Sequence, residues 1–155
     1  MSRIELQTVI AAPIERCYDL SLSVDVHLRS AAGTGERVVA GVSSGVLKLG
    51  DHVTWEARHL GLKHRLSMTI SAADPPRTFR DELVSGPFRR LVHDHFFEQA
   101  DGGTLMRDVL EFSTGVRPLD ALVLKPHLRR FLLRRNAVVK ELAEGEGWRD
   151  YVPTS

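Results

Sequence analysis

Apolar and polar residues alternate along much of the chain before Gly115, which is the two-residue period of β-strands. The segment from Arg3 to Ala11 predicts the first strand. Six further segments follow, separated by glycine, proline and other turn residues with no long helical period between them, so we expect antiparallel neighbours in a meander. These segments are Glu36 to Val42, Asp51 to Leu60, Lys63 to Ala72, Arg77 to Ser85, Arg89 to Gln99 and Thr104 to Ser113.

Two short helices are predicted between the first and second strands. Apolar residues recur at helical spacing from Pro13 to about Leu20, and proline suits the first turn of a helix. A second helix is expected from Val24, and the glycine pair in residues 32–35 should end it.

A long closing helix is predicted beyond Gly115, where apolar residues recur at steps of three and four. We place it at about 118–143, with a kink at Pro126 because proline lacks the N–H that continues the hydrogen-bond ladder. The tail, residues 144–155, should fray unless Trp148 or Tyr151 docks on the core.

Composition favours one soluble domain of 155 residues, 43% of them hydrophobic and 26% charged. The 21 Lys and Arg against 20 Asp and Glu leave a net charge of +1, which argues against a nucleic-acid partner. Cys17, the single cysteine, excludes an intrachain disulfide and a multi-cysteine zinc cage. The sequence shows no secretion signal and no long apolar run, so we expect a cytoplasmic protein. We expect it to be a monomer or a homodimer.

This order of elements, with one strand, two short helices, six strands and a closing helix, is that of the helix-grip fold. Five segments carry a further likeness: WEARHLG at 55–61, FRDE at 79–82, GPF at 86–88, HDHFF at 93–97 and DGGTL at 101–105. They resemble motifs of bacterial proteins in the START-like, or SRPBCC, superfamily, in the branch known as polyketide cyclase/dehydrase-like or, loosely, as cell-division inhibitors. The resemblance covers nearly the whole chain.

The resemblance implies an α+β fold in which a curved antiparallel sheet of about seven strands wraps around the closing helix. It also implies a deep apolar cavity that binds a hydrophobic small molecule, such as a lipid, polyketide, quinone or aromatic compound. We expect no cofactor.

Histidines on two predicted strands are the first candidates for chemistry. Residues two apart share a strand face, so His93 and His95 project together, and His59 shares a face with Trp55. An imidazole on an apolar face can orient a ligand carbonyl or hydroxyl, or exchange protons near neutral pH. The alternative is that the histidines are hydrogen-bonded within the sheet or lie on its outer face.

Two carboxylates, Asp81 and Asp108, also fall on apolar strand faces, where a charge requires a partner. They are candidate partners of the histidines, although each could instead anchor an arginine at the surface. The residues expected to line the cavity are Trp55, His59, Asp81, Phe88, His93, His95, Met106, Asp108, Leu110 and Phe112.

Two functions follow from these residues. In the first, the chain binds a ligand whose polar end is oriented by the histidines. In the second, it is a cyclase, dehydratase or isomerase in which a histidine is the general base and Asp81 or Asp108 fixes its tautomer. We predict no metal site, because nothing in the sequence determines whether His59, Asp81 or Asp108 would be the third ligand beside His93 and His95.

The closing helix carries six basic residues and no acid between Asp120 and Glu141. This face is either a solvated helix surface or a weak contact with an anionic membrane. The basic residues are Lys125, Arg129, Arg130, Arg134, Arg135 and Lys140.

Overall fold

The computed structural model describes residues 1–152 and shows a seven-stranded antiparallel sheet with a long C-terminal helix. The expected α+β helix-grip architecture is confirmed. The strand order β1-β7-β6-β5-β4-β3-β2 pairs the first strand with the last and otherwise follows the chain, as a meander does. The strands are β1 (Ser2–Ile10), β2 (Arg37–Gly41), β3 (His52–His59), β4 (Leu62–Asp74), β5 (Thr78–Ser85), β6 (Arg90–Ala100) and β7 (Gly103–Ser113).

Helices fill the one long gap between strands and the C-terminal third of the chain. The first two, α1 and α2, lie between β1 and β2 as expected. The helices are α1 (Ile14–Ser21), α2 (Val24–Ser30), α3 (Arg117–Leu119) and α4 (Lys125–Glu144), with short 3-10 turns at Ala32–Thr34 and Gly147–Asp150.

The turn between β6 and β7 aligns the two strands that carry the candidate residues. Ala100 pairs with Gly103, so only Asp101 and Gly102 form the loop. Both have positive φ, 41° and 80°, which is the backbone twist that tight two-residue hairpins require. Because a two-residue loop fixes the register of the hairpin, it determines which residues of β6 pair with which residues of β7.

The closing helix is interrupted in a different way from the kink expected at Pro126. A π-helical turn, Asp120–Leu124, joins α3 to α4, and the Lys125 N–H bonds to the Asp120 carbonyl. Pro126 follows one residue after this turn and has no N–H to donate. The wider turn accommodates the proline without breaking the helix. The Asp120 carboxylate accepts hydrogen bonds from the Thr114 backbone N–H and hydroxyl, which ties the start of the helix to the end of β7.

The basic face of α4 is smaller than the sequence suggested. Arg129, Arg130 and Arg134 are exposed, but Arg135 is buried against the sheet. The prediction that counted Arg135 as part of a solvated surface is therefore wrong. No helix within residues 1–152 is long and apolar enough to span a membrane.

The tail docks on the core as far as it is described. Trp148 and Tyr151 pack against the apolar cluster beneath α1, and the Arg16 guanidinium lies 4.0 Å from the centre of the Trp148 ring. Residues 153–155 of the predicted tail lie outside the described residues.

Phe112 has no exposed surface and lies in an apolar cluster to which α2, α4 and the strands β1, β3, β4, β6 and β7 contribute. We expect Phe112→Ala to lower the free energy of unfolding by about 3–5 kcal/mol, because the neighbours cannot fill the vacated space. Urea denaturation measures the change. The control is Val84→Ala at a 64% exposed position, which should change stability little; equal losses in the two variants would contradict this packing.

Candidate functional site

A cavity of about 410 Å³ lies between the sheet and the closing helix. Its walls are mainly apolar. A second chamber of about 90 Å³ adjoins it and shares Asp81 and His93 as walls. The apolar side chains of the larger cavity include Trp55, Ala57, Met68, Leu91, Leu110, Leu124, Leu128, Phe131 and Leu132.

Six of the residues predicted to line the cavity do so, and a seventh borders the smaller chamber. The six are Trp55, His59, Asp81, Phe88, His93 and Leu110, and the seventh is His95.

The remaining three predicted wall residues lie elsewhere. Met106 and Phe112 are core residues with no exposed surface, and Asp108 is buried behind the histidines. Alternation along a strand indicates which side of a sheet a residue faces. It does not show whether open space or packed core lies there, which explains these three misplacements.

The two histidines of β6 stack on each other, with ring centroids 3.7 Å apart. Phe79 stacks on the far side of His95 at 3.9 Å. Strand pairing sets Asp81 opposite His93 and Asp108 opposite His95. The stack is therefore held between a carboxylate from β5 and a carboxylate from β7.

Each histidine bonds diagonally rather than to the residue directly opposite. His93 Nε2 lies 2.8 Å from Asp108 Oδ1, and His95 Nε2 lies 2.8 Å from Asp81 Oδ1. The other nitrogen of His95 is 3.3 Å from Asp108 Oδ1 but is not aligned for a hydrogen bond, so that contact is electrostatic. The two carboxylates thus lie at opposite edges of the stacked rings.

The closing helix contributes two polar residues that were not identified as site residues from the sequence. Arg135 Nη1 lies 3.2 Å from Asp108 Oδ1, and Asn136 Nδ2 donates to Asp108 Oδ2 at 2.8 Å. Arg135 also donates to the Ser21 carbonyl at 3.1 Å, which includes α1 in the network. Asp108 is therefore the common acceptor for β6 and α4.

Burial and charge shift the pKa values of the two histidines in opposite directions. Burial, reinforced by the charge of His95, lowers the pKa of His93. Burial also disfavours charge on His95, but hydrogen bonding and attraction to Asp108 and Asp81 outweigh it and raise its pKa. The stack therefore holds a neutral His93 against a His95 that favours the imidazolium form.

The pKa values of both carboxylates are lowered. Burial alone would raise the pKa of Asp108, but the hydrogen bond from His93, the close contact of His95 and the charge of Arg135 hold it well below its usual range. The pKa of Asp81 is also lowered, since its hydrogen bond to His95 outweighs the effect of burial. The cluster thus sets two carboxylates against one guanidinium, and the raised pKa of His95 favours the imidazolium form that balances the second carboxylate.

One nitrogen of the cluster is available to a ligand. His93 Nδ1 has no hydrogen-bond partner within residues 1–152, and it is not sealed from the cavity as His95 Nδ1 is sealed in the core. Because Nε2 carries the proton that faces Asp108, Nδ1 presents a lone pair. The carboxylate that faces Nδ1 is that of Asp81, whose Oδ1 is 4.0 Å away.

Asp81, His93 and His95 form the one group of possible metal ligands within residues 1–152, with ligand atoms within 4.8 Å of one another. The ring geometry does not favour an ion. Imidazole lone pairs lie in the plane of the ring, so two stacked rings direct them side by side rather than towards one point. The arrangement fits proton sharing better than metal ligation.

Histidines and an exposed apolar rim surround the mouth of the cavity. His59 Nδ1 lies 2.9 Å from His127 Nε2, which links the end of β3 to the first turn of α4. Burial lowers the pKa of both, aided by their mutual repulsion for His59 and by Arg130 and Arg134 for His127. Three further polar residues line this region, His27, Glu36 and His64, and the exposed apolar rim comprises Leu60, Leu62, Val116 and Leu119.

No protein-family model and no curated protein sequence matches this chain. Solved structures do match. TTHA0849 from Thermus thermophilus is 20% identical, with a TM-score of 0.70 over 89% of this chain and 97% of that one. Ginseng major latex-like protein 151 from Panax ginseng is 15% identical, with a TM-score of 0.70 over 93% and 98%. The KanY protein is 17% identical, with a TM-score of 0.71 over 94% and 100%.

This chain has the START-like helix-grip fold. At these identities the likeness establishes the fold alone. The likeness carries no information on the polar cluster around His93 and His95. The chemistry of the site depends on the geometry of that cluster.

Asp108→Asn should destabilise the helix-grip domain by about 3–5 kcal/mol, because it leaves Arg135 and His95 buried without their shared anion. Asp94→Asn is the matched control, since its ion pair with Arg80 is at the surface and should contribute about 1 kcal/mol or less. Urea unfolding of the three proteins at neutral pH measures both. Equal effects would show that the buried cluster has no special role in stability.

The opposite pKa shifts predict opposite pH dependences. His95 has a raised pKa, so its contribution to stability is complete below its unfolded value of about 6.5 and is lost as pH rises through its folded pKa. His93 has a lowered pKa, so the folded protein loses stability as pH falls below about 6.5, where only the unfolded chain takes up the proton.

Two variants separate these effects. His95→Gln should cost most stability at acidic pH, whereas His93→Gln should remove part of the acid-induced loss. Unfolding curves across the pH range, with NMR titration of the imidazoles, measure both. Two histidines that titrate in the same direction would contradict the assigned charges.

Proposed function

We propose that this chain binds a flat apolar molecule that carries a hydroxyl group, with the hydroxyl held at the His93 end of the cavity. The observation that supports this is an apolar cavity of about 410 Å³ that ends at two hydrogen-bond acceptors. This volume falls within the usual range for small-molecule sites, roughly 300–1,000 Å³. The apolar walls favour an aromatic, polyketide-like or lipid-like body.

The polar end selects the kind of group that docks there. Asp81 is ionised and can only accept hydrogen bonds, and His93 presents the lone pair of Nδ1. A ligand carbonyl or quinone oxygen would meet acceptors on both sides. A hydroxyl donates to one of them, so we favour phenols and alcohols over ligands whose only polar groups are carbonyls.

Matched ligands test this preference. We expect 2-naphthol to bind about tenfold more tightly than 2-methoxynaphthalene, because the ether keeps the apolar body but cannot donate; this factor corresponds to about 1.4 kcal/mol. Trp55 lines the cavity and Trp148 does not, so quenching of Trp55 emission in a Trp148→Phe protein reports binding. In His93→Leu the difference in affinity between the two ligands should shrink, because Asp81 is then the one acceptor left at that end of the cavity. Equal affinities in the unmodified site would contradict the proposed docking.

Filling the cavity tests its use directly. Ala57 is a small residue on the wall, and Ala57→Trp should abolish binding of both naphthalenes by occupying their space. Ala40→Trp adds the same ring at an exposed position on the edge strand β2 and should leave binding unchanged. Binding that survives in Ala57→Trp would place the ligand elsewhere.

A further inference from the structure

We propose that His93, backed by Asp108, is a general base that removes a proton from the bound molecule, so that the cavity is a reaction site. This inference deepens the proposed function and rests on it, because a substrate must first reach the His93 end of the cavity. The reaction class is one that begins with deprotonation, such as an isomerisation or a ring closure.

The geometry is that of a base and its orienting carboxylate. Nε2 of His93 bonds to Asp108 at 2.8 Å, which directs the basic Nδ1 away from the carboxylate and towards the cavity. Asp108 has no exposed surface and is fixed from the helix side by Arg135 and Asn136. These residues are positioning residues, whereas His93 alone would touch the substrate.

His95 shows what a purely structural histidine looks like in the same place. Its Nε2 bonds to Asp81, its Nδ1 is sealed in the core, and Phe79 covers its outer face. His93 also leaves one nitrogen unpaired, but that nitrogen lies at the cavity wall rather than in the core. Since a buried polar atom is normally paired, a free one that faces empty space is suited to a ligand.

The step balances without a cofactor. A C–H or O–H bond of the substrate breaks, the proton forms an N–H bond at His93 Nδ1, and the electron pair stays on the substrate. The resulting imidazolium is bonded to Asp108 and lies 4.0 Å from Asp81, and these two carboxylates oppose its repulsion from the His95 ring stacked on it at 3.7 Å. The proton then returns to another atom of the substrate or to water.

The same carboxylates restrict the substrate. Negative charge cannot be stabilised beside Asp81, so it must move along a conjugated system away from that end. The mouth offers the better environment, since Arg130 and Arg134 produce a positive potential at His127. We therefore infer a flat, conjugated substrate with its acidic hydrogen at the inner end.

A base in an apolar cavity can be assayed with 5-nitrobenzisoxazole, a flat probe that opens when its C–H proton is removed. The N–O bond breaks as the nitrile forms, and the electron pair leaves as a coloured nitrophenolate. The wild-type protein should accelerate this ring opening well beyond free imidazole at equal concentration. His93→Gln should lower kcat/KM by about 10²-fold or more, whereas His52→Gln, at an exposed site on β3, should not change it.

The pH profile provides a test that does not depend on a variant. The groups that face His93 are Asp81 on β5, His95 on β6, Asp108 on β7 and Arg135 on α4. With the pKa of His93 lowered by burial, the rate should rise with pH and level off, with a midpoint below about 6.5. A rate that simply follows hydroxide concentration would overturn the proposal.

The outcomes also separate this proposal from the binding function. If 2-methoxynaphthalene binds but the ring opening is no faster than with free imidazole, the base is excluded and the binding function stands. If His93→Gln keeps the wild-type rate while still binding 2-methoxynaphthalene, another group is the base and the proposal fails. If neither naphthalene binds, the proposed function itself is wrong.

Discussion

The buried carboxylate of Asp108 connects every layer of this fold. It accepts from His93 on the neighbouring strand and from Arg135 and Asn136 on the closing helix, and it has no contact with solvent. A charge in such a place is tolerable only when all its partners are present, because desolvation otherwise costs several kcal/mol. The helix therefore cannot slide or rotate against the sheet without breaking the cluster. Its fixed position keeps open a space that apolar packing alone would tend to close.

Much of this arrangement was accessible from the sequence because strands have a strict period. Alternation placed Asp81, His93, His95 and Asp108 on the same side of the sheet, and the Asp101-Gly102 hairpin keeps β6 and β7 in the register that this requires. Seven strands and a closing helix followed from the same patterns. Alternation does not show whether a side chain on that face meets packed core or open cavity. Met106 and Phe112 were therefore predicted as cavity walls although they lie in the core.

The contribution of α4 to the polar cluster was not predicted, for a different reason. Leu128, Leu132, Val139 and Leu142 form an apolar stripe with a gap where Arg135 and Asn136 stand, at the spacing of the next buried turn. Polar residues at a core position of the helix indicate that the sheet supplies a hydrogen-bonding partner for them. From the sequence, Arg135 was instead assigned to a basic surface. The histidines of α2 and α4 at the mouth, His27 and His127, gave no such signal. Only the folded chain brings them to the cavity.

The charge balance of the cluster limits what the cavity can hold. Asp81 and Asp108 lie against Arg135 and His95, whose raised pKa favours the imidazolium form, while the lowered pKa of His93 favours its neutral form. An anion placed against His93 would meet Asp81 and gain nothing, while a neutral donor adds a hydrogen bond without disturbing the balance. A proton moved onto His93 shifts one positive charge to a position between two carboxylates. The cluster that holds the helix in place therefore also makes His93 an acceptor of hydrogen bonds and of protons.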